Sequence, residues 1–230
     1  MLRMLMFLAA VSYATAGIAT AEPYWVAYEG NDYPENEGWY HSWGDPSGEF
    51  NGPGADRTIA DGVLSIDSLS DQSIYDFSRL DLPGQFDPGV GEVFVVEWRL
   101  KVDDVVGTWY DPSVGFGSDD AWQVAFGFYV DRIESSLEDD VTIPIAPGVF
   151  HEYRCLSSDM RTYDLYIDGE LAHQGTFWQG IMESYIGWGD VVSGAASLSH
   201  WDYIRFGIVP EPSSLFALMG LCTCAVRRRR

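Results

Sequence analysis

The chain has 230 residues and carries 13 Lys and Arg against 35 Asp and Glu, a net charge of −22 at pH 7. Five of the basic residues are Arg3 and the four C-terminal arginines, so positions 22–209 hold eight basic against thirty-four acidic residues, a net of −26. Such a surface repels nucleic acid and anionic lipid and attracts divalent cations, which excludes nucleic-acid partners and binding through a basic patch.

Taken in order, Met1-Leu2-Arg3 is a short positive segment, and residues 4–11 are apolar without a charge. This is the pattern of a secretory signal peptide, read by the secretion machinery. The small residues Ala19 and Ala21 predict cleavage before Glu22, so residues 1–21 are expected to be removed. From there to residue 208 the length suits one domain. Residues 29–56, rich in Gly, Pro and Asn, predict long loops around one or two short strands. Leu64 and Ile66 alternate just after Asp61-Gly62. Phe94, Val96, Trp98, Leu100 and Val102 then fall on one face of a strand, with Val95, Glu97, Arg99 and Lys101 on the other. Trp122, Val124, Phe126, Phe128 and Val130 repeat the pattern.

Between Tyr163 and Gly175, alternating residues flank Asp168-Gly169, which predicts a two-residue type I′ hairpin. Ile204, Phe206 and Ile208 close the domain. Cys155 is the only cysteine between the two ends, so no disulfide forms within that piece, and it is expected in the core. Short strands separated by Gly, Pro and Asp turns, with no room for crossover helices, argue for an all-β fold: an antiparallel two-sheet sandwich. Outward Glu, Asp, Arg and Lys would blunt its edges.

Residues 209–230 have a different character: Val209, Pro210, Glu211 and Pro212, an uncharged run over 215–226, and then Arg227, Arg228, Arg229 and Arg230. As a short helix the run would rise only ~18 Å, well short of the ~30 Å apolar core of a bilayer. It is a poor permanent anchor and suits a signal that is read and removed, with its arginines held in the cytoplasm. These residues resemble a PEP-CTERM sorting tail. The resemblance implies transient membrane insertion, recognition by an exosortase, and an exported envelope or extracellular-matrix protein.

A second resemblance spans the middle of the chain. Asp61-Gly-Val-Leu-Ser-Ile, Val95-Val-Glu-Trp-Arg-Leu-Lys-Val, Phe150-His-Glu-Tyr-Arg-Cys and Tyr163-Asp-Leu-Tyr-Ile-Asp-Gly-Glu, closed by Trp201-Asp-Tyr-Ile-Arg-Phe, resemble a concanavalin A-like lectin/glucanase sandwich, a jelly roll. Its relatives include lectins, laminin G-like adhesion modules and glycoside hydrolases. Glucanases of this kind carry Glu-x-Asp-x-Glu or Glu-x-Asp-x-x-Glu on one strand, where a period of two projects the carboxylates to one side. Neither spacing occurs.

The expectation is therefore a non-catalytic, lectin-like module with no catalytic residue, bound to extracellular polysaccharide. A glycoside hydrolase with a carboxylate pair drawn from separate strands is the alternative, and a laminin G-like protein-adhesion module the third. His41, His151, His173 and His200 stand singly and never at metal-ligand spacing, and no Gly-x-Ser-x-Gly elbow is present. Of cofactors, only calcium is worth keeping: Asp103, Asp104, Asp119, Asp120, Asp139, Asp140 and Asp190 lie in turn-like stretches and supply hard oxygens. Trp39, Trp43, Trp109, Trp178 and Trp188 have Gly- and Asp-rich neighbours, which marks them as the candidate sugar-stacking faces.

Overall fold

In a computed structural model of the protein, residues 24–41, 56–69, 75–79, 86–107, 111–135, 141–180, 184–190 and 195–211 are described. Among them a 3-10 turn at Pro34–Glu37 accompanies strands β1 (Tyr24–Tyr28), β2 (Tyr40–His41), β3 (Asp56–Ala60), β4 (Val63–Asp67), β5 (Tyr75–Arg79), β6 (Glu92–Val106), β7 (Ser113–Gly117) and β8 (Trp122–Phe128). The remainder are β9 (Arg132–Ser135), β10 (Thr142–Pro144), β11 (His151–Ser157), β12 (Thr162–Ile167), β13 (Glu170–Thr176), β14 (Trp178–Gln179), β15 (Tyr185–Asp190) and β16 (Ala196–Pro210). The protein is all-β, as the alternating pattern predicts.

Two antiparallel sheets face each other. The first runs β13-β12-β11-β6-β16-β4-β3, with β1 beside β16; the second runs β10-β9-β8-β7-β15-β5-β2, with β14 beside β8. At the centre of the first sheet β6 and β16 pair from Val106↔Ala196 to Glu92↔Pro210, with register shifts between Leu198 and Ser199 and between Trp201 and Tyr203. The last strand thus continues through Val209 and Pro210, past the boundary expected at residue 208, and the Glu211 N–H donates to the Gly91 carbonyl at 2.9 Å.

The alternating apolar residues meet between the sheets. Trp98 of β6 stacks on Tyr153 at 5.4 Å within its own sheet and on Phe126 at 6.1 Å across the gap. Phe86 stacks on Phe206 at 5.7 Å, and Trp188 packs on Trp201 at 4.9 Å. Each such side chain taken from water contributes on the order of 1.5–3 kcal/mol, so this aromatic layer dominates what holds the sheets together. Cys155 lies in the same core, as expected. The β12–β13 turn is the predicted type I′ form, with positive φ at Asp168 (51°) and Gly169 (82°).

Candidate functional site on the outer face of the first sheet

Because the inner faces are filled with rings, chemistry has to come from outer faces or strand ends. Alternation in β6 sends Trp98 and Leu100 inward and therefore Glu97, Arg99 and Lys101 outward. The same rule turns Glu152, Arg154 and Leu156 of β11 outward, since His151, Tyr153 and Cys155 are buried between them. Register then aligns these side chains into rows. One row crosses four strands as Arg205, Glu97, Arg154 and Tyr166; the next places Tyr203, Arg99 and Glu152 side by side.

Glu97 is only 7% exposed, and two arginines account for that burial being tolerated: Arg154 Nε lies 2.9 Å from Oε1 and Arg205 Nε 3.3 Å from Oε2. A carboxylate left alone there would lose several kcal/mol of hydration without return. Val95, on the same outward side, is fully buried as well, so this face is covered more closely than a solvated sheet surface. Arg205 also lies over the Tyr203 ring at 4.5 Å, and Arg99 over the Phe150 ring at 4.6 Å while pairing with Asp202. The Tyr203 hydroxyl is pushed up to about 12, first by burial and next by the negative charge of Glu152, with a smaller push from Glu97.

Two cavities open on this face. One of about 310 Å³ is lined by Glu152, Arg154, Leu156, Tyr166 and Gly169. The other, about 430 Å³, shares Leu156 and Tyr166 and adds Val93, Thr162, Asp164 and Glu211 among its walls. Their shared wall makes them neighbours along β11 and β12, and each has a volume typical of small-molecule sites. Glu97 and Glu152 are diagonal neighbours across the β6–β11 ladder, an arrangement that sets Cα atoms ~7–8 Å apart.

The residues singled out from sequence are distributed differently. Trp39 (1% exposed) and Trp188 (fully buried) are core residues with ring centroids 5.7 Å apart, so neither is a sugar platform. Trp188 sits inward between Gly187 and Gly189 because the strand alternates, and glycine neighbours are no sign of a loop there. Trp178 is 37% exposed on β14, opposite Gln123 of the second sheet, away from the cavities. Trp43, Trp109, Asp139 and Asp140 lie outside the described residues, as do Ala19, Ala21, Glu22, Pro212, Arg227, Arg228, Arg229 and Arg230.

Among the calcium candidates, Asp103 bonds Lys101 and His200, Asp104 caps the Val105 N–H, and Asp120 pairs with Arg161. Asp190 is buried against Ser68 and Ser197. Among the described residues no cluster of three or more His, Cys, Asp or Glu side chains could hold a metal. Sequence reasoning missed Glu97, Arg154 and Arg205 as a group, and also a contact among Ser65, His200 and Asp103.

Neither a family model nor a curated protein matches this chain. Solved structures do match in shape. The conserved carbohydrate esterase from the Shiga toxin-encoding bacteriophage phi24B superposes with a TM-score of 0.56 at 10% identity, over 81% of this chain and 98% of that one. β-agarase A from Zobellia galactanivorans gives a TM-score of 0.52 at 15% identity, over 80% and 91%. The fold, an antiparallel two-sheet sandwich, is shared with these structures. The expectation of a module that is not an enzyme is corrected by the same finding, because both of these sandwiches are described as carbohydrate-active enzymes. The missing Glu-x-Asp-x-Glu motif tests a single strand only, and the outer face draws its carboxylates from two.

Proposed function

We propose that the protein is a glycan-active enzyme that hydrolyses glycosidic bonds on the outer face of its first sheet. The observation that carries this reading is the placement of Glu152 in the wall of one of the two adjoining cavities, with Glu97 diagonal to it on the neighbouring strand. Tyr166 and Leu156 offer the apolar surface against which a pyranose ring packs, and Arg154 stands between the two carboxylates. Glu97, held by two guanidinium groups, is the carboxylate that stabilises the positive charge developing at the anomeric carbon. Glu152, which opens into the cavity, transfers the proton to the leaving oxygen. The description of the matched β-agarase is consistent with such a substrate class.

The chain is exported through residues 1–21 and sorted through residues 209–230 by an exosortase, which places the enzyme in the envelope or the polysaccharide matrix. The support is the sequence pattern at its two ends. The catalytic reading is tested by release of reducing ends from a panel of neutral and acidic polysaccharides. Glu97→Gln and Glu152→Gln should each lower the rate by about 10²–10⁴-fold with the fold retained. Cleavage that proceeds equally well in both variants would remove the assignment.

A further inference from the structure

A second cluster on the same sheet has the geometry of a nucleophile and its base. Ser65 of β4 faces outward because Leu64 and Ile66 on either side of it are fully buried. Register sets it opposite His200 of β16, which in turn lies opposite Lys101 of β6. The Ser65 hydroxyl is 2.8 Å from His200 Nδ1, and His200 Nε2 is 2.9 Å from Asp103 Oδ2. An ionised carboxylate only accepts, so Nε2 carries the ring proton and donates it to Asp103. Nδ1 is then left bare, and it accepts from the Ser65 hydroxyl. Lys101 Nζ donates to the same Asp103 oxygen at 2.7 Å and helps keep that carboxylate anionic. His200 retains 18% exposure of its side chain and Asp103 34%, so a substrate approaching from solvent meets the cluster directly.

We propose that Ser65, His200 and Asp103 form an acyl-transfer centre that removes ester-linked acyl groups. The Ser65 oxygen attacks the ester carbonyl while its proton passes to His200 Nδ1, and Asp103 stabilises the imidazolium that results. The carbon–oxygen bond to the leaving alcohol breaks, and that alcohol takes the proton from His200. Water then attacks the acyl-serine, giving its proton to His200; the bond between the acyl carbon and the Ser65 oxygen breaks, that oxygen takes the proton back from His200, and the carboxylic acid departs. The order of ring nitrogens is the reverse of that in the familiar serine proteases, but either nitrogen serves as the base when the other is fixed by a carboxylate. That the alcohol is a sugar hydroxyl rests on the function proposed above; the serine chemistry does not.

The full-length protein is treated with a fluorophosphonate, which phosphonylates a serine activated by a neighbouring base, and the adduct is located by peptide mass spectrometry. Hydrolysis of p-nitrophenyl acetate is followed in parallel. One adduct on the Ser65 peptide is expected, absent in Ser65→Ala and His200→Ala, with hydrolysis about a hundredfold or more slower in each. Asp103→Asn keeps both reacting groups but removes the negative charge that fixes the ring tautomer and stabilises the imidazolium, so labelling should slow while the fold persists. No adduct at Ser65, or hydrolysis unchanged by Ser65→Ala, overturns the proposal. A variant that loses only thermal stability, from a parent that never labels, overturns it equally by reducing the cluster to a strand tie. Neither readout contains a glycan: labelling without polysaccharide cleavage supports this centre and removes the glycosidic one, and cleavage without labelling does the reverse.

Discussion

Replacing Asp190 by Asn should flatten the pH dependence of stability between pH 4.5 and 7.5. Asp190 ends β15 in the second sheet and is fully buried; its carboxyl accepts hydrogen bonds from Ser68 and from Ser197 Oγ (2.7 Å) on the first sheet. The Ser197 N–H donates to Ser68 Oγ at 2.8 Å, so the cluster ties the sheets together at one end. Burial pushes the Asp190 carboxyl up to about 6, with a further push from Asp67, against the opposing effect of the two serines. In the unfolded chain the same group titrates near 3.9. Below the unfolded value it is protonated in both states and its contribution is fully present. As pH rises through about 6 the folded protein must ionise a buried acid, and the contribution is lost. A rise of about two units corresponds to about 3 kcal/mol, or roughly 6–12 °C in Tm for a chain of this size.

Asp103, Asp159 and Asp168 shift the other way: burial opposes it, but hydrogen bonds to their charged forms prevail and hold each below the usual range. Their stabilisation disappears only near and below pH 4, outside the chosen window. Thermal unfolding at several pH values compares the parent with Asp190→Asn, so that general repulsion in an acidic protein cancels. The parent should lose about 2 kcal/mol more than the variant between pH 4.5 and 7.5, the first ~1 kcal/mol of the total being already lost below pH 4.5. Parallel curves would refute the reasoning.

Gly169→Val should cost ~1–3 kcal/mol, read as a lowered Tm, and the whole cost is conformational: an added Cβ meets nothing within 4 Å, but φ is 82°. Trp98→Ala should cost ~3–5 kcal/mol in urea unfolding, because it empties the space between Tyr153, Phe126 and Phe128. Changing Pro210, Glu211 and Pro212 to alanine should leave export intact and block tail removal in the native host, so that protein ~2 kDa heavier collects in the membrane fraction. Release of that variant at the parental mass would mean that residues 209–230 are no processing signal.

How far the sequence could be read depended on whether a feature was local. Phe94 to Val102 and the Asp168-Gly169 hairpin are set by period and turn chemistry within a few residues, and both stand in the structure as expected. Trp39 and Trp188 are buried although Gly and Asp surround them in sequence, because glycine inside a strand marks close packing as readily as a loop. In β7, facing β15, an added Cβ at Gly117 would come 2.9 Å from the Tyr185 ring, so this glycine makes room for a packed aromatic. The full length of β16 was hidden by its two register shifts, which interrupt the alternation around Ser199 and Asp202.

The candidate site was less legible still. Ser65 and His200 are 135 residues apart, and Glu97 meets Arg154 and Arg205 from two other strands. Only sheet register brings such groups together, and nothing in the spacing of one chain encodes it. Asp103 was noticed for its oxygens, but its partners proved to be Lys101 and His200.

The central claim, that a glycan is processed on the outer face of the first sheet, is tested most directly by a crystal structure of Glu152→Gln soaked with an oligosaccharide that the parent cleaves. The account predicts sugar rings over Leu156 and Tyr166, spanning the two cavities, with the scissile oxygen facing position 152 and the anomeric carbon facing Glu97. Sugar bound instead beside Trp178 on the second sheet, in a variant that still cleaves at the parental rate, would contradict it.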